Sequence, residues 1–489
     1  MESVMKPIRI MKNGREEEDG GEPLSPMSRL FHKPDSNFYI IAMLGFAAPI
    51  SPDVVKLHIA RTFPKHPRFS SLQVVDEKNG GELRWVKTEV NIDNHVIIPK
   101  LDPNMDSPDK FVEDYVSNLS KTTISMSIPL WDFHVLEVKT SEAEATAVLR
   151  VHHSIGDGIS LMSLLLSCSR QVSDPESLPT IPTARKSNGS KKNNESLLGF
   201  LRFLLIKLGL LVLLCWNTAV DVVMFVLTYL FLNDTANPLK AQRLGPSARR
   251  FVHTTLSFDD VKLVKNAMAA TVNDVLVGVT QAALSRYLNR KYAGIEDGDT
   301  GRGKGRGKNN LPKNIRFRAT CFVNMRPFSG IQTFEEMIKK GSKAKWGNYI
   351  AYLLFPFTIA LRDNPLDYVR DAKLNSDRKK ASLEAKCIYF MARLLLKFYP
   401  TMTCGFPTQT SICYSNVPGP QEQISFCGYP LAFIAPSCCG QPNALFVHIV
   451  SYVNKIKIIL AVDETIIPDP YQLCDDFQIS LKLIKDATL

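Results

Sequence analysis

Apolar and polar positions along the chain switch between two periods. Runs rich in β-branched residues at 37–46, 69–75, 82–86, 95–98, 131–138 and 145–151 predict short strands. Helix-period stretches open at Ser51-Pro52, where Ser51 is a cap candidate and Pro52 suits the first turn, and again at Asp109. The second half repeats the alternation. Strands are predicted at 251–257 and 317–324, in a run that ends at the Pro-Gly turn of 411–420, and at 445–453 with 455–462, a hairpin around Asn454-Lys455. Helices are predicted at 258–269, over most of 366–398, and from Pro470, with Leu473, Phe477, Leu481 and Ile484 on one side. Another opens at Thr271 and places Val275, Leu276, Val279, Ala283, Leu284, Tyr287 and Leu288 on one face. Thr271 and Asp274 have the spacing of a capping box.

Three stretches break the pattern. Residues 1–21 are polar, charged and without an apolar core, so they read as disordered and not as a secretory signal. Residues 179–196 are basic and rich in breakers, a linker. Residues 292–314 carry Gly301-Arg-Gly-Lys-Gly-Arg-Gly-Lys308, which buries no core and reads as a mobile surface loop. Between linker and second half, 197–232 is apolar enough to meet a membrane, which takes about 20 such residues to span. Asp221 lies near the middle of its most apolar part, and a central Asp costs about 2.5–3.5 kcal/mol on insertion.

A length of 489 residues allows two or three domains, and 45% hydrophobic against 22% charged residues is ordinary globular composition. The net charge of +11 suits an anionic membrane surface or a polyanionic substrate such as coenzyme A. No zinc-finger or RNA-recognition spacing is present, so nucleic acid ranks last. Ten scattered cysteines without a CxxC pair read as reduced thiols in a cytosol-facing protein.

The chemistry concentrates at 148–161, Val-Leu-Arg-Val-His-His-Ser-Ile-Gly-Asp-Gly-Ile-Ser-Leu. A buried strand stops, two histidines follow, Gly156 and Gly158 flank Asp157 in a turn, and an apolar helix begins. A rigid strand end holds a side chain at a fixed angle, as a general base requires. An imidazole takes up and returns a proton near neutral pH. Adjacent strand residues point to opposite faces, so one histidine can face a channel while the other packs inward. Asp157 could orient the imidazole, or pair with an arginine and hold the turn. A partial metal site is the alternative, but no further ligands accompany it at metal spacing.

HHxxxDG between strand and helix resembles the active-site motif of the plant-type wax ester synthase/diacylglycerol acyltransferase family. Pro23-Leu-Ser-Pro-Met-Ser-Arg-Leu-Phe31, Pro129-Leu130-Trp131, Asn273-Asp274, Met325-Arg-Pro327, Trp346-Gly-Asn-Tyr-Ile350 and Asn416-Val-Pro-Gly-Pro420 follow in that family's order. The resemblance implies an α/β (α+β) fold: two coenzyme-A-dependent acyltransferase-like domains, each a mixed sheet flanked by helices, at 22–180 and 236–489, with the linker and apolar membrane segment at 181–235. It implies His153 as general base with His152, Asp157 and Gly158 in the motif, Pro129, Leu130 and Trp131 near the acyl channel, and Asn273 and Asp274 supporting the site. For Asp274 the capping box is the competing explanation. No cofactor or metal is implied. Acyl-CoA is a substrate, a fatty alcohol or diacylglycerol the acceptor, and membrane lipid a partner. The implied location is the endoplasmic reticulum membrane with a cytosol-facing site, the plasma membrane being a second possibility. Both halves building one site must lie on one side of the bilayer, so 197–232 is expected as a re-entrant or interfacial hairpin bending at 217–221, ahead of a simple span or a buried helix pair. Wax ester synthesis, triacylglycerol synthesis and a catalytically silent lipid-binding role compete; the intact motif argues against the last, and the plant-like motifs favour the first.

Overall fold

Two large sheets meet along one seam, and a third is formed by the strands Glu22–Pro23, Glu82–Lys87 and Ser71–Asp76. The computed structural model describes residues 21–32, 37–77, 81–102, 104–181, 197–240, 248–300, 309–326, 336, 346–398 and 409–489. The disorder expected for 1–21 falls outside them apart from Gly21, as do most of the 179–196 linker and Gly301-to-Lys308.

The first sheet has seven strands, in the order Val96–Ile97, Trp131–Leu136, Ala145–His152, Tyr39–Phe46, Tyr429–Cys439, Ile424–Phe426 and Ser169–Gln171. Ala145–His152 is buried along its whole length, which explains its mostly apolar sequence, and Arg150, the charge within it, is paired with Asp132. Its last residue, His152, lies opposite Tyr39, and Tyr39 lies opposite Cys439 on the other side. The second sheet has six strands, in the order Ile350–Pro356, Arg318–Asn324, Ile412–Val417, Leu445–Tyr452, Lys455–Val462 and Arg250–Ser257. Its middle is parallel, with Thr320 opposite Cys413 and Ser415 opposite His448. The sheets are therefore mixed and flanked by helices, as expected.

The boundary near 236 divides the chain but not the sheets. Ile424–Phe426 and Tyr429–Cys439 come from the second half and complete the first sheet. Phe433 sits over Gly45 of the neighbouring strand, where any Cβ would overlap its ring.

The helix Val272–Thr300 packs between Leu366–Lys380 and Pro470–Asp486. It runs past Tyr292, where the sequence suggested a loop. The 366–398 stretch is two helices, Leu366–Lys380 and Glu384–Phe398, parted at Ala381.

The apolar segment departs most from expectation. Leu197–Leu230 is one continuous helix of 34 residues, with no hairpin at 217–221. Its C-terminal half is docked. Asn217 donates to the Ala381 carbonyl at 3.1 Å, the Thr218 hydroxyl accepts from the Leu383 amide at 2.9 Å, and Phe225 stacks on Tyr352. Asp221 is buried and accepts from Arg378 at 2.8 Å and Lys379 at 3.1 Å. The carboxylate that would be costly in lipid is paired inside the protein, so this half of the helix lies against protein. Almost all of 200–216, by contrast, is apolar and exposed.

Candidate active site

His153 follows the end of its strand directly. Its amide donates to the Phe38 carbonyl at 2.8 Å, which extends the ladder one residue and fixes the exit angle. The ring stacks on Phe31 at 4.1 Å and lines a cavity of about 350 Å³ between the two sheets. The cavity wall is mostly apolar, with Ile40 and Leu149 from the first sheet, Met162 from the motif helix and Phe322 and Phe446 from the second.

Asn348 decides the tautomer. Its amide nitrogen donates to the His153 carbonyl at 2.8 Å and to the Ser28 hydroxyl at 3.2 Å, so the amide oxygen faces the ring. That oxygen, 3.1 Å from His153 Nδ1, accepts its proton. The Nε2 lone pair is left as the basic one. Burial pushes the His153 pKa below its ordinary value, against smaller opposing contributions from its own carbonyl, the Asp157 charge and Asn348. The ring is neutral at physiological pH, as a base must be.

Asp157 holds the turn. It is 1% exposed and caps the helix Gly158–Ser167 by accepting the Ser160 amide at 3.0 Å. Arg326 grips it with both terminal nitrogens, at 2.8 and 3.0 Å, and the Tyr349 amide donates to it at 2.9 Å. Of the two roles open to Asp157 in the sequence, the arginine pair is the one formed, and it ties the motif to the second sheet. Gly158 and Ile159 open that helix on the cavity wall, where first-turn amides have no intrahelical partner.

His152 faces the other way. Its Nδ1 meets the Ser154 hydroxyl at 2.6 Å, its Nε2 meets Asn37 Oδ1 at 3.0 Å, and its ring packs edge-on against Tyr39. Pro129, Leu130 and Trp131 are not on the cavity wall either. Trp131 is fully buried in the first core, stacked on His95 at 4.2 Å and donating to the Phe69 carbonyl at 2.9 Å, while the Leu130 carbonyl accepts the His152 amide. The triplet supports the strand that carries the histidines and does not touch the channel, because its indole finds its acceptor inside the core. Asp274 forms the capping box, with its carboxylate on the Thr271 amide at 2.9 Å and its own amide on the Thr271 hydroxyl at 3.2 Å. Asn273 accepts from Asn416, which does line the cavity.

Three residues had no assigned role in the sequence. Asn348 and Arg326 sit in the Trp346-to-Ile350 and Met325-to-Pro327 segments, whose order was legible but whose chemistry was not. His448 lines the same cavity from the second sheet, stacked on Phe446 at 3.7 Å, with Nδ1 3.1 Å from the Ser437 hydroxyl.

The site is a histidine ring on the wall of an apolar cavity between two mixed sheets. Solved structures share the fold. The wax ester synthase/diacylglycerol acyltransferase from Marinobacter aquaeolei VT8 superposes with a TM-score of 0.61 at 17% identity, over 96% of this chain and 100% of that one. The first condensation domain of the CDA synthetase gives 0.54 at 11%, over 96% and 97%. The wax ester synthase/diacylglycerol acyltransferase catalytic domain matches residues 47–276, and the WS/DGAT C-terminal domain matches 346–485. Wax ester synthase/diacylglycerol acyltransferase 11 of Arabidopsis thaliana is 45% identical over 479 residues, covering 96% of this chain and 95% of the relative. Number 4 of the same plant is 43% identical over 488 residues, covering 96% and 91%. The chain belongs to the wax ester synthase/diacylglycerol acyltransferase family.

Proposed function

We propose that the protein is an acyl-CoA-dependent O-acyltransferase that makes wax esters from long-chain acyl-CoA and fatty alcohol. The observation that carries this reading is the Asn348-held His153 ring on the wall of an apolar cavity. His153 Nε2 takes the proton of the acceptor hydroxyl as that oxygen attacks the thioester carbon. A C–O bond forms, the C–S bond breaks, and the imidazolium returns the proton to the leaving coenzyme A sulfur. A positioned general base contributes typically about 10²–10⁴-fold. Gly158 and Ile159 line the cavity at the start of a helix, so their amides are candidate donors to the developing oxyanion, each such donor supplying about 10²–10³-fold. No acyl-enzyme is needed.

Diacylglycerol acylation is the second reading, and His448 favours it. A diacylglycerol adds ester carbonyls to its hydroxyl, and His448 Nε2 has no partner among the described residues, so it offers one hydrogen bond in an otherwise apolar wall.

The exposed part of Leu197–Leu230 supports a place on a cytosol-facing membrane surface, and we assign that surface to the endoplasmic reticulum. The two halves share a sheet, so Ile181 and Phe231, which flank the linker and the helix together, belong on one side of a bilayer. An in-plane helix satisfies this, with Arg202 and Lys207 at headgroup level.

Purified protein given labelled palmitoyl-CoA with hexadecanol and diacylglycerol side by side should form ester, and His153→Ala should lower the rate at least about 10²-fold with the fold intact. Wild-type rate in His153→Ala rejects the mechanism.

A further inference from the structure

The helix Glu384–Phe398 has two apolar faces, and among the described residues only one is buried by protein. On the inner face Ile388 and Leu396 join the cluster of Met27, Leu30 and Phe31. On the opposite face Leu383, just ahead of the helix, and Phe390, Leu394 and Phe398 recur at i, i+7, i+11 and i+15, one row along the surface. Phe390 is 63% and Phe398 67% exposed. A row of exposed large side chains on one helix is a contact surface by its composition.

Charge says what covers it. Lys386, Arg393 and Lys397 run beside the row with the same spacing, and no acidic residue lies between 385 and 398. Glu384 is buried and paired with Lys379 at 2.6 Å. An apolar row flanked by long basic side chains suits the boundary of an anionic bilayer, where the rings enter the acyl layer and the ammonium groups reach the phosphates. The helix also packs against Leu197–Leu230, through the docked half of a helix whose 200–216 part is apolar and exposed.

We infer that Glu384–Phe398 is a second, in-plane membrane contact that docks the enzyme on anionic lipid through Phe390, Leu394 and Phe398. This rests on the membrane reading above. It also sets the orientation of the protein. Tyr389 and Arg393 border a polar cavity that reaches Ser154 and Asn348, so that cavity opens at headgroup level. The inner face of the same helix bears on the cluster of Phe31, the ring stacked on His153.

The test is co-flotation of full-length protein with phosphatidylcholine vesicles, with and without phosphatidylserine. Phe390→Glu/Phe398→Glu should lower the bound fraction at limiting lipid by about tenfold or more. Lys386→Gln/Lys397→Gln should weaken binding only to the anionic vesicles, by about fivefold per charge, and added salt should do the same. Circular dichroism and the thermal midpoint, unchanged because these side chains face solvent, report the fold. Leu205→Glu/Leu212→Glu, on the other helix, serves as the comparison. If wild type fails to float, the membrane reading falls and this inference with it. If wild type floats and Phe390→Glu/Phe398→Glu floats equally, the inference alone is overturned. It is also overturned if that variant instead abolishes a dimer seen in buffer, which would make a second copy the occupant.

Discussion

Removing the Asn348 amide should detune the base without touching its ring. In Asn348→Ala the Nδ1 proton loses its acceptor, 3.1 Å away, and the two neutral tautomers are no longer distinguished by a fixed partner. One neutral hydrogen bond is worth about 0.5–1.5 kcal/mol net, or about 2- to 12-fold in rate if lost only from the reactive geometry. The His153 carbonyl also loses its 2.8 Å donor, which adds a stability cost of about 1–3 kcal/mol. The variant should therefore show kcat down by about tenfold, KM for acyl-CoA near wild type, and a lower urea midpoint. Asn348→Asp separates orientation from packing. A carboxylate beside the Nδ1 proton favours the charged imidazole and raises the His153 pKa, which burial otherwise holds below its ordinary value. The rate needs neutral His153, so the acidic limb of the pH–rate profile should move to higher pH. Wild-type kcat in Asn348→Ala, together with an unmoved acidic limb in Asn348→Asp, would refute the tautomer argument.

Two further predictions concern stability. Arg326→Ala strands a carboxylate that is 1% exposed and should cost about 3–5 kcal/mol in urea unfolding. Asp157→Asn/Arg326→Met should cost clearly less, and equal losses would show that the charge pair is not the cause. Burial lowers His32 and His253 to about 4 and His66 and His448 to about 3, so between those values and the unfolded value near 6.5 the unfolded chain binds more protons. Their stabilisation is complete above that value and is lost as pH falls toward the folded ones. The loss is about 1 kcal/mol per histidine between pH 7 and 5.5, and a flat urea midpoint over that interval would contradict it.

The sequence-level pattern resolved what local periodicity can resolve. Ala145–His152 was legible because burial on both faces leaves a mostly apolar run, and Pro470–Asp486 because one face is buried. His153 was legible because strand, glycines and helix all lie within a few residues of it. Asn348 and Arg326 were not, since their partners are 195 and 169 residues away and nothing local marks an amide or a guanidinium for that use. The strand Tyr429–Cys439 escaped for a related reason: Pro430 and Pro436 interrupt its period, and its place is set by pairing with Tyr39–Phe46. The hairpin expected at 217–221 followed from keeping both halves on one side of a bilayer, and the local sequence did not show that Arg378 and Lys379 hold Asp221 from another helix while Leu197–Leu230 stays continuous through it. The family order made the Pro129-Leu130-Trp131 triplet legible as a motif but not what it touches, which is the core beside the strand that carries the histidines.

The strands Ile424–Phe426 and Tyr429–Cys439 make the two halves interdependent. Without them, Tyr39–Phe46 would present a bare edge and Ser169–Gln171 would have no neighbour. A protease nick in 182–196 should thus leave two fragments clasped together and still active. Each fragment synthesised alone should aggregate, and mixing them during refolding should recover the enzyme by complementation.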